Sequence, residues 1–145
     1  MAIRLTQNFT LDELTASATA KAKGIRNVPG TQEIVNLAAV ATKVLQPLRN
    51  FWGKEIRISS GFRSAALNKA VGGVSNSQHM QGQAVDICID GDINKGKTFF
   101  HYIRAFLDFD QLIWEHNAKG TYWVHVSYRN DGKNRKQVID NLLKT

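Results

Sequence analysis

The feature that most constrains the fold is a run of apolar residues at helical spacing between positions 34 and 52. These residues recur every three or four positions over about five turns: Ile34, Leu37, Ala38, Ala41, Val44, Leu45, Leu48 and Trp52. The periodicity predicts one long helix whose apolar face belongs to the core. Pro47 lies inside the run, so we expect a kink or a late break there, because proline cannot donate the helical hydrogen bond.

Shorter elements surround this helix. Thr10-Leu11-Asp12-Glu13 has the pattern of a capping box and predicts a helix that begins at about Leu11 and ends at Gly24. Apolar patterning predicts further helices at 65–71 and 98–107, and short strands at 56–58, 84–89, 111–114, 122–128 and 138–139. The sequence therefore predicts an α+β fold, a small antiparallel sheet packed with helices, in a single domain over residues 1–145.

Cysteine content and the absence of long apolar segments exclude several classes of protein. The single cysteine, Cys88, excludes an internal disulfide framework, a zinc finger and a paired-cysteine redox site. No segment approaches about 20 consecutive apolar residues, and residues 1–10 lack an apolar signal core. We therefore expect no stable membrane insertion and a cytoplasmic location when the chain is made.

The formal charge of +7 indicates an anionic partner. Nucleic acid, acidic phospholipid and the anionic polymers of a bacterial cell wall would all be attracted. Because the sequence has no recognised nucleic-acid motif, we do not expect nucleic acid to be the partner. The basic segment 129–136 is predicted to be a solvated surface turn that a wall polymer could also use.

Two histidines and one aspartate stand in positions that suggest chemistry. Asp86 interrupts the apolar strand 84–89, and strand alternation sets it on the face opposite Val85 and Ile87. His125 lies in a second strand by the same alternation, and His79 ends a polar loop. Two imidazoles and a carboxylate would supply three protein ligands to zinc and leave a fourth position open, as catalytic sites require.

Other interpretations of these residues exist. Non-haem iron oxygenases also use two histidines and one carboxylate, although they usually place the first histidine and the carboxylate one residue apart. Taken singly, His79 could be a solvated loop residue, Asp86 a strand-end acceptor and His125 a satisfied core histidine. Among the remaining groups, we expect His101 on the exposed side of its helix, His116 in a solvated turn, and Cys88 to be a buried, inert thiol.

Three sequence blocks in order carry a family resemblance. Residues 77–86, Ser-Gln-His-Met-Gln-Gly-Gln-Ala-Val-Asp, match all five fixed positions of the SxHxxGxAxD signature of zinc D-alanyl-D-alanine carboxypeptidases and murein endopeptidases. Residues 60–64 resemble that family's SGYRS segment, and 111–115 with 123–127 resemble its closing hairpin. The motif core spans about 55–128. The resemblance implies the hedgehog/DD-peptidase fold and is strongest to small bacteriophage and prophage members that serve as endolysins.

The resemblance also implies roles for particular residues. It makes His79, Asp86 and His125 the zinc ligands, and it places Arg63 against the substrate near the scissile carbonyl or carboxylate. Several members carry an acidic residue three positions before the last histidine, where this chain has Tyr122. Related hedgehog-type domains carry their glutamate at the end of the preceding strand, and Glu115 occupies that place, so we assign the general base to Glu115.

Two further residues are candidates for substrate binding. Ser77 either holds a substrate terminus or braces the loop before His79. Trp123 shares a strand face with His125 and could line a cleft, although an aromatic residue in a strand more often belongs to a core.

The function implied is a zinc metallopeptidase that hydrolyses an amide bond in peptidoglycan stem peptides, as a carboxypeptidase or an endopeptidase. Zn²⁺ is the expected cofactor, with no organic cofactor. The alternative is a catalytically silent, zinc-containing module that binds the cell wall or a protein. An endolysin of this kind would be a monomer that reaches the wall after release, with the help of a separate holin-type pore.

Overall fold

The computed structural model describes residues 3–141. Its helices are α1 (Leu11–Thr15), α2 (Ala18–Lys23), α3 (Thr31–Val40), α4 (Gln46–Trp52), α5 (Ala65–Ala70) and α6 (Ile93–Phe106). A π-helical stretch, Ala41–Leu45, joins α3 to α4, and a 3₁₀ turn occupies Gln78–Gln81. The strands are β1 (Ile58–Ser60), β2 (Ala84–Cys88), β3 (Gln111–His116), β4 (Tyr122–Ser127) and β5 (Gln137–Asp140).

Local signals explain where the first helices begin and end. Thr10 and Glu13 form the predicted capping box at the start of α1. The helix expected to run on to Gly24 is instead divided, because Ala16 is extended and the Ser17 side chain caps a new helix, α2. Gly24 ends α2 as predicted, in the left-handed conformation that glycine adopts without strain.

The long core helix is present, and its irregularity lies about one turn before Pro47 rather than at Pro47 itself. The backbone N–H of Gln46 donates to the carbonyl of Ala41, five residues back, so the turn before the proline is wider than an α-helical turn. A wider turn relieves the crowding between a proline ring and the carbonyls of the preceding turn. The break predicted at Pro47 is therefore a π-helical stretch that ends at Leu45.

Among the described residues the strands form one sheet in the order β1-β2-β4-β3-β5. The predicted α+β class is confirmed, and the first four strands pair antiparallel as expected. β5 differs, because it pairs parallel to β3. The chain reverses direction after β4 and passes beyond β3 before it pairs, so β5 runs antiparallel to β4 and hence parallel to β3.

The sheet has one face buried against helices and one face that carries polar side chains. Alternation along β2 and β4 directs Val85, Ile87, Val124 and Val126 into the same apolar cluster as residues of α3, the π-helical stretch and α6. Asp86 and His125 lie between these residues in sequence, so they belong to the opposite face. The fold therefore collects its chemically active side chains on one face of a rigid sheet.

Two sequence-based expectations concern the bounds of the domain and the absence of a membrane span. The predicted domain of residues 1–145 includes positions 1, 2 and 142–145, which lie outside the described part. Within residues 3–141, none of the helices is long and apolar enough to cross a bilayer.

A candidate metal centre on the polar face of the sheet

Asp86 and His125 face each other across the pairing of β2 with β4. Asp86 Oδ1 lies 2.9 Å from His125 Nδ1 and 3.3 Å from His79 Nε2, which the 3₁₀ turn brings in from beyond the sheet. All three side chains are buried, and their ligand atoms lie within 4.8 Å of one another. The structure thus brings together the three residues that the sequence predicted as metal ligands.

The protonation of His79 is fixed by its backbone partner. His79 Nδ1 lies 2.7 Å from the carbonyl oxygen of Gly61, and a carbonyl oxygen can only accept a hydrogen bond. Nδ1 therefore carries a proton, and Nε2, the ring atom left for a metal ion, is directed towards Asp86 and His125. A metal-ligating histidine generally donates its other ring N–H in this way.

The donor set fits a divalent metal ion of the zinc type. Tetrahedral ligands at about 2.0–2.1 Å from zinc lie about 3.4 Å from one another. Asp86 Oδ1 lies 3.3 Å from His79 Nε2 and, somewhat closer, 2.9 Å from His125 Nδ1. Two imidazoles and one carboxylate are donors that zinc prefers, and three protein ligands leave a fourth position for water or substrate.

The electrostatics of Asp86 keep it ionised. Burial of this carboxyl acts to raise its pKa, but the charges and hydrogen bonds of His79 and His125 outweigh burial and hold the pKa well below its usual range. A deprotonated carboxylate between two imidazoles is ready to bind a cation without first losing a proton.

Arg63 lies beside this cluster and is held by three neighbours. Its Nη2 is 3.5 Å from Asp86 Oδ2, its Nε donates to Ser60 Oγ at 3.1 Å, and its Nη1 donates to Asn68 Oδ1 at 3.2 Å. Its backbone N–H donates to the carbonyl of His79. Arg63 is therefore fixed in orientation, with positive charge close to the ligand cluster.

Glu115 lies at the other side of the cluster. It belongs to β3, its Oε1 is 3.9 Å from His125 Nδ1, and its side chain keeps 31% of its exposure. Burial raises the pKa of Glu115 above its ordinary value, with the nearby His125 acting in the opposite direction. A carboxylate with a raised pKa beside an open coordination position is suited to accept a proton and later return it.

A cleft of about 600 Å³ opens over these residues. Ser77 and Trp123 both line it, as the sequence-based candidates for substrate binding require. Ser77 Oγ also accepts a hydrogen bond from the backbone N–H of His79, so the brace predicted as one of its two roles is present. Trp123 Nε1 is buried and has no hydrogen-bond partner among residues 3–141.

Three residues at the site, Asn68, Gln78 and Asp110, were not singled out from the sequence, and a fourth, Arg135, was assigned to a solvated turn. Asn68 is buried and joins Arg63 to the carbonyl of Val74. Gln78, Asp110 and Arg135 form a second network, in which Arg135 lines the cleft although it lies in the predicted solvated turn. A carboxylate between the apolar Phe109 and strand β3 was the available sequence signal, because a buried aspartate needs a partner.

The other titratable candidates lie outside the cluster. His101 and His116 are exposed, as expected. Cys88 is only partly buried, so the expectation of a buried thiol was wrong. It is the last residue of β2, where its Sγ lies 3.6 Å from Arg57 Nη2 and 3.5 Å from Asp90 Oδ1 at the sheet edge.

Fold and site together define a class of protein. A mixed helix and sheet domain carries a buried two-histidine, one-carboxylate cluster in an open cleft, with a free carboxylate and an arginine beside it, which is the arrangement of a metallohydrolase. The family model for peptidase M15 matches residues 7–127. The chain belongs to the peptidase M15 family.

A curated relative gives a second, shorter similarity. The chain is 47% identical over 51 residues to the zinc D-Ala-D-Ala carboxypeptidase of Streptomyces albus G. The matched residues are 34% of this chain and 20% of that protein, so the chain spans about a fifth of the relative's length.

Proposed function

We propose that this protein is a zinc peptidase that hydrolyses an amide bond in the stem peptides of bacterial peptidoglycan. The observation that carries the proposal is the buried cluster of His79, Asp86 and His125 with Glu115 next to it in an open cleft. Membership of the peptidase M15 family and the partial similarity to a zinc D-Ala-D-Ala carboxypeptidase support the reaction class, the metal and the substrate.

Zinc, when bound, supplies a Lewis acid that polarises a carbonyl and lowers the pKa of water towards about 7. Glu115 is the proposed general base. Its carboxylate accepts the proton of the attacking water and then donates that proton to the leaving amine, and the raised pKa assists this second step.

Arg63 is the proposed partner of the substrate's carbonyl or carboxylate oxygen. Its contacts to Ser60, Asn68 and Asp86 hold the guanidinium before the substrate arrives. A donor that is already oriented stabilises developing negative charge without the cost of reorganisation. Ser77 and Trp123 are proposed to contact the substrate in the same cleft.

We extend the proposal to the biological setting. The protein is an endolysin-like monomer that acts on the wall after release from the cytoplasm, with a holin-type pore as the route. The net charge of +7 supports this setting, because the cell wall is polyanionic and would concentrate a cationic protein.

Digestion of purified peptidoglycan tests the function. The zinc-loaded protein and its Glu115→Gln variant are incubated with walls of several chemotypes, and the released fragments are identified by mass spectrometry. We expect fragments from the wild type only, because removal of a general base costs about 10²–10⁴ in rate. The new termini identify carboxypeptidase or endopeptidase cleavage. Binding to the wall without fragments from either protein would instead support the silent binding module.

A further inference from the structure

Arg135 is a second arginine in the cleft, and its contacts point to a binding site. Its partner is Asp110, which is 1% exposed. Arg135 Nε and its backbone N–H each donate to Asp110 Oδ1 at 3.0 Å, and Nη2 donates to Oδ2 at 2.8 Å. Gln78 Nε2 donates to the same Oδ2 at 3.0 Å. One buried carboxylate therefore fixes both the loop that carries Arg135 and the side chain next to His79.

The paired bonds to Asp110 leave part of the guanidinium available. The side chain of Arg135 is 55% exposed, and its Nη1 makes no hydrogen bond to any residue in the described range 3–141. Arg63 differs, because Nε, Nη1 and Nη2 all have partners and only 16% of its side chain is exposed. Both arginines line the cleft, and Arg135 is the more exposed of the two and has one guanidinium nitrogen, Nη1, without a partner among residues 3–141.

The sheet register gives the separation between Arg135 and the metal cluster. His125 pairs with Asp86 on one side and with Ile113 on the other, so the ligand cluster lies level with Ile113. Arg135 is bound to Asp110, which is three residues before Ile113 and directly precedes β3. Three residues of extended strand span about 10 Å. An extended peptide that lies along β3 in the cleft would therefore reach Arg135 with a group about three residues from the scissile bond.

We propose that Arg135 forms a carboxylate-binding subsite, so that the preferred substrate is an anionic peptide with a free carboxylate about three residues from the cleaved bond. This inference rests on the proposed peptidase function. An arginine held by one bidentate pair presents its remaining N–H groups in a fixed geometry, which suits a carboxylate better than a mobile lysine does. The amide side chains of Gln78 and Gln111 line the same end of the cleft and add neutral hydrogen-bonding groups.

Paired synthetic stem peptides test the subsite. In each pair the candidate carboxylate is either free or a carboxamide, and all other atoms are the same. For the zinc-loaded wild type we expect the free acid to be cleaved with about two- to fivefold higher kcat/KM, since an ion pair to a partly exposed guanidinium is screened by solvent. Equal rates for acid and amide at every position tried would overturn the subsite while leaving the peptidase function intact.

Variants then assign the preference to Arg135. In Arg135→Gln the ratio of acid to amide is expected to fall towards one, mainly through KM, and Arg135→Lys is expected to retain part of it. Lys133→Gln is the matched control, because Lys133 is exposed in the same basic segment and does not line the cleft. A ratio lost equally in the Lys133 variant would show a general charge effect and overturn the assignment to Arg135.

A binding measurement separates this inference from turnover. Calorimetry with the zinc-loaded Glu115→Gln protein measures the affinity of the acid and amide peptides without cleavage. Tighter binding of the acid, abolished by adding Arg135→Gln, would support the subsite even if no peptide is hydrolysed, whereas equal binding would overturn it. Thermal melting of each variant shows whether Asp110, deprived of its partner, has destabilised the fold.

Discussion

His79 and Gly61 are joined by a 2.7 Å hydrogen bond from the imidazole Nδ1 to the backbone carbonyl. The segment around Gly61 is itself fixed, because the N–H of Phe62 donates to the carbonyl of Leu14 at the end of α1. The orientation of His79, a proposed metal ligand, therefore depends on a backbone contact with the first helix of the chain.

Substitution of Gly61 is expected to disturb the metal centre. A Cβ at this position would lie 2.1 Å from the carbonyl oxygen of Leu14, so the backbone must shift and take the acceptor of His79 Nδ1 with it. We expect Gly61→Ala to lower metal affinity about 10–100-fold, the range for lost outer contacts of ligands. Competition with a chromogenic chelator measures this affinity.

Gly30→Ala is the control for Gly61→Ala. Its added Cβ would meet only the flexible end of Glu33, at 2.9 Å, far in sequence from the ligands. Thermal melting of both variants reports folding. A folded Gly61→Ala protein with the metal affinity of the wild type would contradict the importance of the Gly61 carbonyl.

Gly73 provides space for the contact that orients Arg63. A Cβ there would lie 2.1 Å from Asn68 Oδ1 and 2.9 Å from Arg63 Nη1. Both are ends of side chains, so we expect Gly73→Ala to fold and to bind metal normally. Displacement of Arg63 is expected to lower kcat/KM on stem peptides at least about tenfold, because small misplacements of a positioning group are costly. An unchanged kcat/KM would show that the contact with Asn68 is not required to orient Arg63.

The lowered pKa of Asp110 leads us to expect that the stability of the fold depends on pH. Burial acts to raise the pKa of Asp110, but the hydrogen bonds from Arg135 and Gln78 outweigh it and hold the pKa below its usual value. The unfolded chain then binds more protons at acid pH. The stabilisation is therefore complete above the unfolded pKa of about 3.9 and is lost as the pH falls through the lower folded value.

Urea unfolding of Asp110→Asn from pH 3 to 7 checks this dependence. We expect the variant to be less stable than the wild type by about 1 kcal/mol at pH 7, since exposure of Arg135 weakens the pair. The difference should shrink below about pH 4. Asp12→Asn, at an exposed position, serves as the control. A difference that stays constant over the whole range would show that the charge of Asp110 does not carry the effect.

Gly96 and Trp114 are expected to be coupled in stability. A Cβ at Gly96, inside α6, would lie 2.2 Å from Cη2 and 2.7 Å from Cζ3 of the buried indole. We expect Gly96→Ala to destabilise the protein, because overpacking costs about 1–3 kcal/mol and exceeds the gain of about 1 kcal/mol in helix propensity. In a Trp114→Phe background the added methyl group enters space that the indole has left, so Gly96→Ala should become neutral or stabilising. Chemical unfolding of the double-mutant cycle measures the coupling, and simple additivity would contradict it.

The metal cluster could be predicted because its signals are local. Strand alternation alone sets Asp86 and His125 on the polar side of their strands, and the segment 77–86 carries the family signature. The register that places the two side chains opposite each other is a long-range property and was found only in the structure. Three-dimensional pairing also decides that β5 passes beyond β3, which no pattern within residues 137–140 encodes.

Arg135 shows why the remaining part of the site was missed. A charged residue in a basic turn has the pattern of a solvated surface, and its partner Asp110 lies 25 positions earlier in the chain. The π-helical stretch is a similar case. Pro47 has no backbone N–H, so the sequence shows that one helical hydrogen bond is missing there. Whether the helix then kinks or widens depends on how the neighbouring turns pack.

The three proposed metal ligands differ in how firmly the fold holds them. Asp86 and His125 lie on interior strands that are paired on both sides, whereas His79 lies on a four-residue turn outside the sheet. Backbone amides of β2 and β4 should exchange with solvent only during large-scale opening, while the turn can open locally at lower free energy. We therefore expect metal to leave and enter by detachment of His79, at a rate set by opening of that turn rather than by unfolding of the sheet.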